Sequence, residues 1–305
     1  MNTPNKWGAA ANSHGTQVTS GIIGYAYPTG PDCIWNKWFN YQCWHGGELL
    51  WVVNGVAPDV KIIPVSVLGG GPTWATVVQG LLYVAELKKG PLASHGVVVN
   101  MSLGGSYDPL FEAAVNYATD CGVILVAAAG NSGDAGVTFP GAFERVISVG
   151  AASWVDAWKS GLDWWQDDVP EGQIDGVFFM SPLSSRALPG QDLDVVAPGM
   201  SFGPREYQHG RLEYNYVFAT SHSTPRVTGI VALMLQKNPH LTPEQVKVIL
   251  KLAAEPFPAN CVDYLERYFI SGGVGLQEVN TCWDDNAVGA GFITADLALA
   301  LTPAP

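Results

Sequence analysis

The chain predicts an α/β fold, a doubly wound and mostly parallel sheet flanked by helices. Short runs rich in β-branched residues, suited to strands buried on both faces, recur at 61–68 (KIIPVSVL), 97–101 (VVVNM), 123–128 (VILVAA) and 146–150 (VISVG). Two segments of helical period, TWATVVQGLLYVAELKKG and DPLFEAAVNYATDCG, fill the intervals between the first three runs, and each stops at a glycine. Strand, crossover helix and strand is the repeating unit of a parallel sheet.

The remaining elements follow in chain order. SHGTQVTSGIIG near the N-terminus reads as a helix opened by His14. Residues 29–50, rich in Trp, Cys, Asn and Gly, break the rhythm and read as a long loop or insertion. So do residues 154–177, where Trp154, Trp158, Trp164 and Trp165 lie among Asp163, Asp167, Asp168, Glu171 and Asp175. Their tryptophans are expected to build small satellite cores. The acidic cluster has the oxygen donors a structural Ca²⁺ would use, though no ligand set is assignable and solvated acidic loops are the commoner case. In LTPEQVKVILKLAA, Thr242 caps, Pro243 takes the first helical position and Gln245 completes a capping box.

Composition limits the function. Of 305 residues 48% are hydrophobic and 14% charged, as in a globular chain; 1–305 is read as a single domain carrying the two insertions. The net charge of −12, with no Lys/Arg cluster, argues against a nucleic-acid or anionic-membrane partner. No apolar run reaches the roughly 18 residues of a membrane span. Of the five cysteines, Cys33 and Cys43 lie close together, as do Cys261 and Cys282. Two short-loop disulfides with Cys121 left over suit a secreted enzyme, the alternative being five buried thiols. No spacing matches a zinc site.

FATSHSTPRVTG, 218–229, places Thr220 and Ser221 at the mouth of an apolar-periodic run with Pro225 four residues on. The pair reads either as a helix cap or as a nucleophile held where backbone N–H groups face a developing negative charge. Local sequence leaves both open. Four motifs in order then bear on it: SHGTQVTSGIIG; GVAPDVKIIPVSVLGGG at 55–71; VVVNMSLGG with VILVAAAGNSG; and LDVVAPG followed by FATSHSTPRVTG. Together they resemble the subtilisin-like serine peptidases, the subtilases, over nearly the whole chain. VGAGFITADLALA looks like that family's closing segment.

The resemblance implies an endopeptidase acting through an acyl-enzyme on protein or peptide substrates. Ser221 would be the nucleophile, His14 the base and Asn131 the oxyanion donor, with the Ser221 N–H beside it and Thr220 assisting. The chemistry is coherent: a Ser hydroxyl needs a base, His is tuned for that near neutral pH, and the oxyanion needs donors fixed in advance. Ser102, Leu103, Gly104 and Gly105 would form one wall of the S1 pocket and Ala128, Ala129 and Gly130 the other, while Trp74 would border S4. These walls are uncharged, and the alanine run leaves volume for a large side chain, which predicts cleavage after large apolar or aromatic P1 residues. The resemblance implies no required cofactor, an N-terminal propeptide, an extracellular location and a monomer. NMSLGG also mimics the nucleophile elbow of α/β-hydrolases, with Ser102 as nucleophile and His209, His222 or His240 as base, but Asn100 stands where the elbow has Gly.

Several positions depart from the family pattern. The family's catalytic Asp precedes the His, whereas only thirteen residues precede His14 and none is acidic. This chain is therefore expected to be an N-terminally truncated subtilase lacking that Asp and the first core strand, with little turnover of its own. A non-catalytic homologue that binds peptides is the alternative. Ala219 stands where Gly is usual, His222 and Ser223 follow the nucleophile, and Gln17 and Thr19 replace the common His and Ala.

Overall fold

The structure is a computed structural model describing residues 14–29, 34–36, 40–42, 49–68, 73–154, 167–168, 178–207, 211–270 and 273–305. In chain order its elements are α1 (His14–Ile23), β1 (Gly24–Thr29), β2 (Ile34–Asn36), β3 (Asn40–Gln42), β4 (Leu49–Asn54), α2 (Trp74–Lys89), β5 (Val98–Met101), α3 (Pro109–Asp120), β6 (Ile124–Ala128), β7 (Ile147–Trp154), β8 (Asp167–Asp168), β9 (Phe178–Met180), β10 (Val195–Pro198), β11 (Met200–Tyr207), β12 (Arg211–Phe218), α4 (Thr220–Lys237), α5 (Pro243–Ala253), β13 (Asn260–Ile270), β14 (Gly273–Trp283), α6 (Asp285–Val288) and α7 (Ala295–Leu301).

The expected parallel sheet is present in the order β10-β7-β6-β5, with β9 added antiparallel to β7. Period-2 alternation decides which side chain meets which helix layer. Ile124 and Val126 of β6 face one core with Val149, Val195, and Val227, Val231 and Met234 of α4. Leu125 and Ala127 face the other, with Val77 and Leu81 of α2 and Phe111 and Val115 of α3. α5 starts as predicted: the Gln245 N–H donates to Thr242 Oγ1 at 3.2 Å, and Gln245 Oε1 accepts from the Thr242 N–H at 2.9 Å. Asp194 of the LDVVAPG motif is fully buried and accepts from the Ser148 N–H at 2.8 Å, while Lys247 and Lys251 of α5 reach it at 3.0 and 3.4 Å. That carboxylate ties β7, the β10 approach and α5 together.

Three expectations are corrected. The run 61–68 is not a strand. A strand needs a ladder partner; none pairs with it among the described residues, and Pro64 withholds one donor. Residues 29–50 are not simply a loop: β1 pairs β4 from Gly24↔Asn54 to Thr29↔Leu49, while β2 and β3 join β11 and β12 in a four-stranded sheet. Within 154–177, β8 pairs with β13. Strands of two or three residues carry too little period to read from sequence; their distant partners determine them.

Cys261 and Cys282 are disulfide-bonded and stand opposite one another in the β13–β14 register, and Cys121 is a free thiol. The expected Cys33–Cys43 bridge, the tryptophan clusters of the insertions and the Gly-rich turn 69–71 lie outside the described residues.

Candidate active site

Ser221 sits in the first turn of α4, and that turn is held by side chains from elsewhere. The N-cap residue, Ala219, has no side chain able to cap. Asn131, at the turn after β6, does so instead: its Oδ1 accepts from the Thr220 N–H at 3.0 Å and from Thr220 Oγ1 at 2.8 Å. A backbone N–H can only donate, so the amide oxygen must face Thr220 and Nδ2 is left as a donor on an exposed residue. The Ser221 N–H, in the first turn, has no intrahelical acceptor four residues back.

The carbonyls of that turn are equally accounted for. Pro225 has no N–H, so the Ser221 carbonyl lacks its usual i+4 donor. Ser102 Oγ donates to it at 2.7 Å, and Ser221 Oγ donates to the Ser102 carbonyl at 3.4 Å. The Thr220 carbonyl accepts from Ser223 Oγ at 2.9 Å and Thr224 Oγ1 at 2.7 Å; the His222 carbonyl accepts from Arg226 Nη1 at 2.6 Å. Thr220 and Pro225 thus belong to a first turn whose polar groups are braced from β5, β6 and α4 itself.

His14 is the first residue of α1, which packs on α4. A methyl at Gly21 would stand 3.2 Å from Pro225 Cγ, so the small residue permits the close approach. The His14 ring meets that of His222 edge-on, centroids 6.2 Å apart. Burial pushes the His14 imidazole below its ordinary range. His222 is 3% exposed with no partner on Nδ1, and burial first, then the charges of His14 and Arg226, push it down to about 3. Both rings are therefore neutral near pH 7.

The two expected pocket walls leave the C-terminal ends of adjacent parallel strands, 102–105 after β5 and 128–131 through the end of β6, which is where open α/β sheets present sites. Between them stands a residue that sequence reasoning missed. Thr138 donates its N–H and Oγ1 to the Ala129 carbonyl, at 2.8 and 3.2 Å, and the next residue, Phe139, exchanges backbone bonds with Gly105 at 2.9 and 3.1 Å. A methyl at Gly104 would run into Thr138 Oγ1, and one at Gly130 would stand 2.8 Å from it. Ala127, Ala128 and Ala129 are buried, and Ala127 and Ala129 each join a hydrophobic core. Trp74 lies against Gly105 and packs on Phe111 with ring centroids 4.8 Å apart and planes tilted by 36°. Leu103 is half-buried, Gly104 exposed and Ser102 buried. Nothing in the local sequence marks Thr138 or Arg226 as site residues, and Ser102, expected in the S1 wall, also braces the Ser221 carbonyl through its hydroxyl.

A parallel sheet with a Ser at the mouth of α4, a His opening the helix packed on α4 and an exposed Asn amide after β6 is an α/β architecture. Residues 2–291 match the sequence profile of the subtilase family, and the chain belongs to that family. It is 34% identical over 206 residues to alkaline elastase YaB of Bacillus sp. (strain YaB), covering 66% of this chain and 45% of that protein. It is 32% identical over 221 residues to the serine protease AprX of Bacillus subtilis (strain 168), covering 65% and 47%. The chain thus spans under half the length of these relatives. Among solved structures it resembles sphericase, with TM-score 0.58, 27% identity, and 80% of this chain and 70% of that one covered. Fervidolysin from Fervidobacterium pennivorans, a keratinolytic enzyme related to subtilisin, gives TM-score 0.58 and 27% identity over 83% and 34%.

Proposed function

We propose that the protein is a serine endopeptidase in which Ser221 is the nucleophile, His14 the general base, and the Asn131 side chain with the Ser221 N–H the oxyanion site. The observation that carries this reading is the Asn131–Thr220 brace, which occupies Oδ1 and leaves Nδ2 as the donor of an amide tied to the residue before Ser221. Ser221 Oγ leaves the Ser102 carbonyl, attacks the substrate carbonyl carbon and passes its proton to His14. The resulting oxyanion would be met by these two donors and by the positive end of α4. His14 then protonates the leaving amine, and water repeats the sequence on the acyl-enzyme. Every step uses side-chain and backbone groups alone.

The substrate is a protein or peptide, with an apolar, preferentially large P1 residue between uncharged walls and Trp74 beside the P4 position. Thr138 sets how deep that P1 side chain can go. An extracellular location accords with the Cys261–Cys282 bridge. A second reading is a homologue that binds peptides along β5, the edge strand of its sheet among the described residues, without cleaving them. It is favoured by the Ser221 hydroxyl donating to Ser102. Fluorophosphonate labelling followed by peptide mapping separates the two. The catalytic reading expects adduct on Ser221, abolished in Ser221→Ala; a folded protein that takes up no adduct would leave the binding reading.

A further inference from the structure

We propose that Arg226 is a positioning residue for Ser221, a planar clamp that locks the first turn of α4 to the bend between β10 and β11. Its Nη1 donates to the Pro198 carbonyl at 2.8 Å and to the His222 carbonyl at 2.6 Å, and its Nη2 donates to the Met200 carbonyl. The carbonyl between those two, that of Gly199, accepts from the Ala219 N–H at 3.1 Å. Three successive carbonyls of the bend are therefore held by α4 and the residue that precedes it. The Ala219 carbonyl in turn accepts from the His222 N–H at 2.9 Å. Ser221 lies between two residues, 219 and 222, each tied to a bend that packs on β7, where a methyl at Gly199 would stand 2.6 Å from Ala151 Cβ.

The choice of residue points the same way. Among the described residues the partners of this guanidinium are backbone carbonyls, not carboxylates. Taking a cation from water without a countercharge is unfavourable, and burial lowers Arg226 to about 10. An apolar side chain of similar length would fill the space without that penalty. What only Arg supplies is a rigid fork reaching three acceptors on β10, β11 and α4, which the point charge of Lys does not match. Holding a reacting atom to within about 1 Å is worth up to roughly 100-fold in rate, and the clamp sits one residue from the proposed nucleophile.

This inference rests on the reading of Ser221 as nucleophile, so the experiment has one arm that needs no activity. Amide hydrogen exchange would be compared in the wild type, Arg226→Met and Arg226→Lys. Arg226→Met should cost Ala219 and His222 about tenfold or more in protection, while Ala129, bonded to Val149 in the central sheet, stays unchanged. In the second arm the rate of fluorophosphonate labelling of Ser221 should fall at least about tenfold in Arg226→Met, with Arg226→Lys in between and the thermal midpoint little moved. Methylguanidinium added to Arg226→Ala should restore both readouts, and sodium chloride at equal ionic strength should not. Unchanged protection at Ala219 and His222 would overturn the proposal. So would a loss shared equally by Ala129, or an absence of rescue. If Arg226→Met does not fold, Arg226→Lys and the methylguanidinium rescue decide it. A wild type that never labels would instead sink the peptidase reading, leaving the exchange arm to judge the clamp.

Discussion

Ser102 Oγ donates to the Ser221 carbonyl at 2.7 Å, in the position that the N–H of residue 225 would take were it not proline. The two residues are 119 apart in sequence. A break in the helix ladder directly after the proposed nucleophile is thus repaired from the end of β5, on the wall of the cleft.

Ser102→Ala should leave that carbonyl unpaired, at a cost of about 1–3 kcal/mol in unfolding free energy. Because the bond holds the turn that carries Ser221, the labelling rate of Ser221 should fall as well, while Ser102→Thr keeps the hydroxyl and loses less. Urea titrations alongside labelling rates would check this; an unchanged midpoint in Ser102→Ala would show that the bond contributes nothing.

Asn131 combines a capping role with the proposed oxyanion role, and two substitutions separate them. Asn131→Asp keeps an acceptor for Thr220 but has no Nδ2 donor, so it should fold normally and lose activity. Asn131→Ala loses both, with about 1 kcal/mol of stability going with the cap. For the rate, the roughly 10²–10³-fold loss known for the oxyanion asparagine of a subtilisin, a relative of this chain, is carried over. Steady-state kinetics with circular dichroism would test the pair, and near-wild-type kcat in Asn131→Asp would contradict the oxyanion assignment.

His222 should make the fold acid-sensitive. Its pKa of about 3 lies below the ordinary 6.5, so between these values the unfolded chain binds the extra proton and stability falls as pH falls. The slope is at most about 1.4 kcal/mol per pH unit. His222→Met removes this dependence, and unfolding free energies measured from pH 7 to pH 4 should show a flatter curve than wild type. Burial also lowers His14, so the acid limb of kcat/KM for the intact enzyme should lie below 6.5.

Thr138 stands between Gly104 and Gly130 and should limit the depth of the P1 site. Thr138→Gly is expected to raise kcat/KM for Phe and Tyr relative to Ala at P1 by about tenfold, the scale of a few methylenes of accommodated apolar surface. Lys and Arg should stay poor in both proteins. A peptide-library profile that does not move with the substitution would remove Thr138 from the pocket.

What the sequence determined by itself was whatever depends on residues a few positions apart. The capping box of Thr242 and Gln245, the β-branched runs of β5, β6 and β7 and the helical periods of α2 and α3 are local, and each forms where its residues predict. Motif order likewise led to the proposal of His14, Asn131 and Ser221, because each lies beside a short stretch with its own turn or helix-start chemistry. Tertiary structure alone decided the rest. The run 61–68 has strand composition but no ladder partner among the described residues; β2, β3 and β8 have little composition to read but have partners. The Ser102–Ser221 bonds, the Thr138 wedge and the Arg226 clamp join groups brought together by strand register and helix docking. The physical reason is the range of the interactions: a cap or a hydrophobic period is complete within a turn or two of chain, whereas a hydrogen bond across 119 residues exists only after the sheet has set its register.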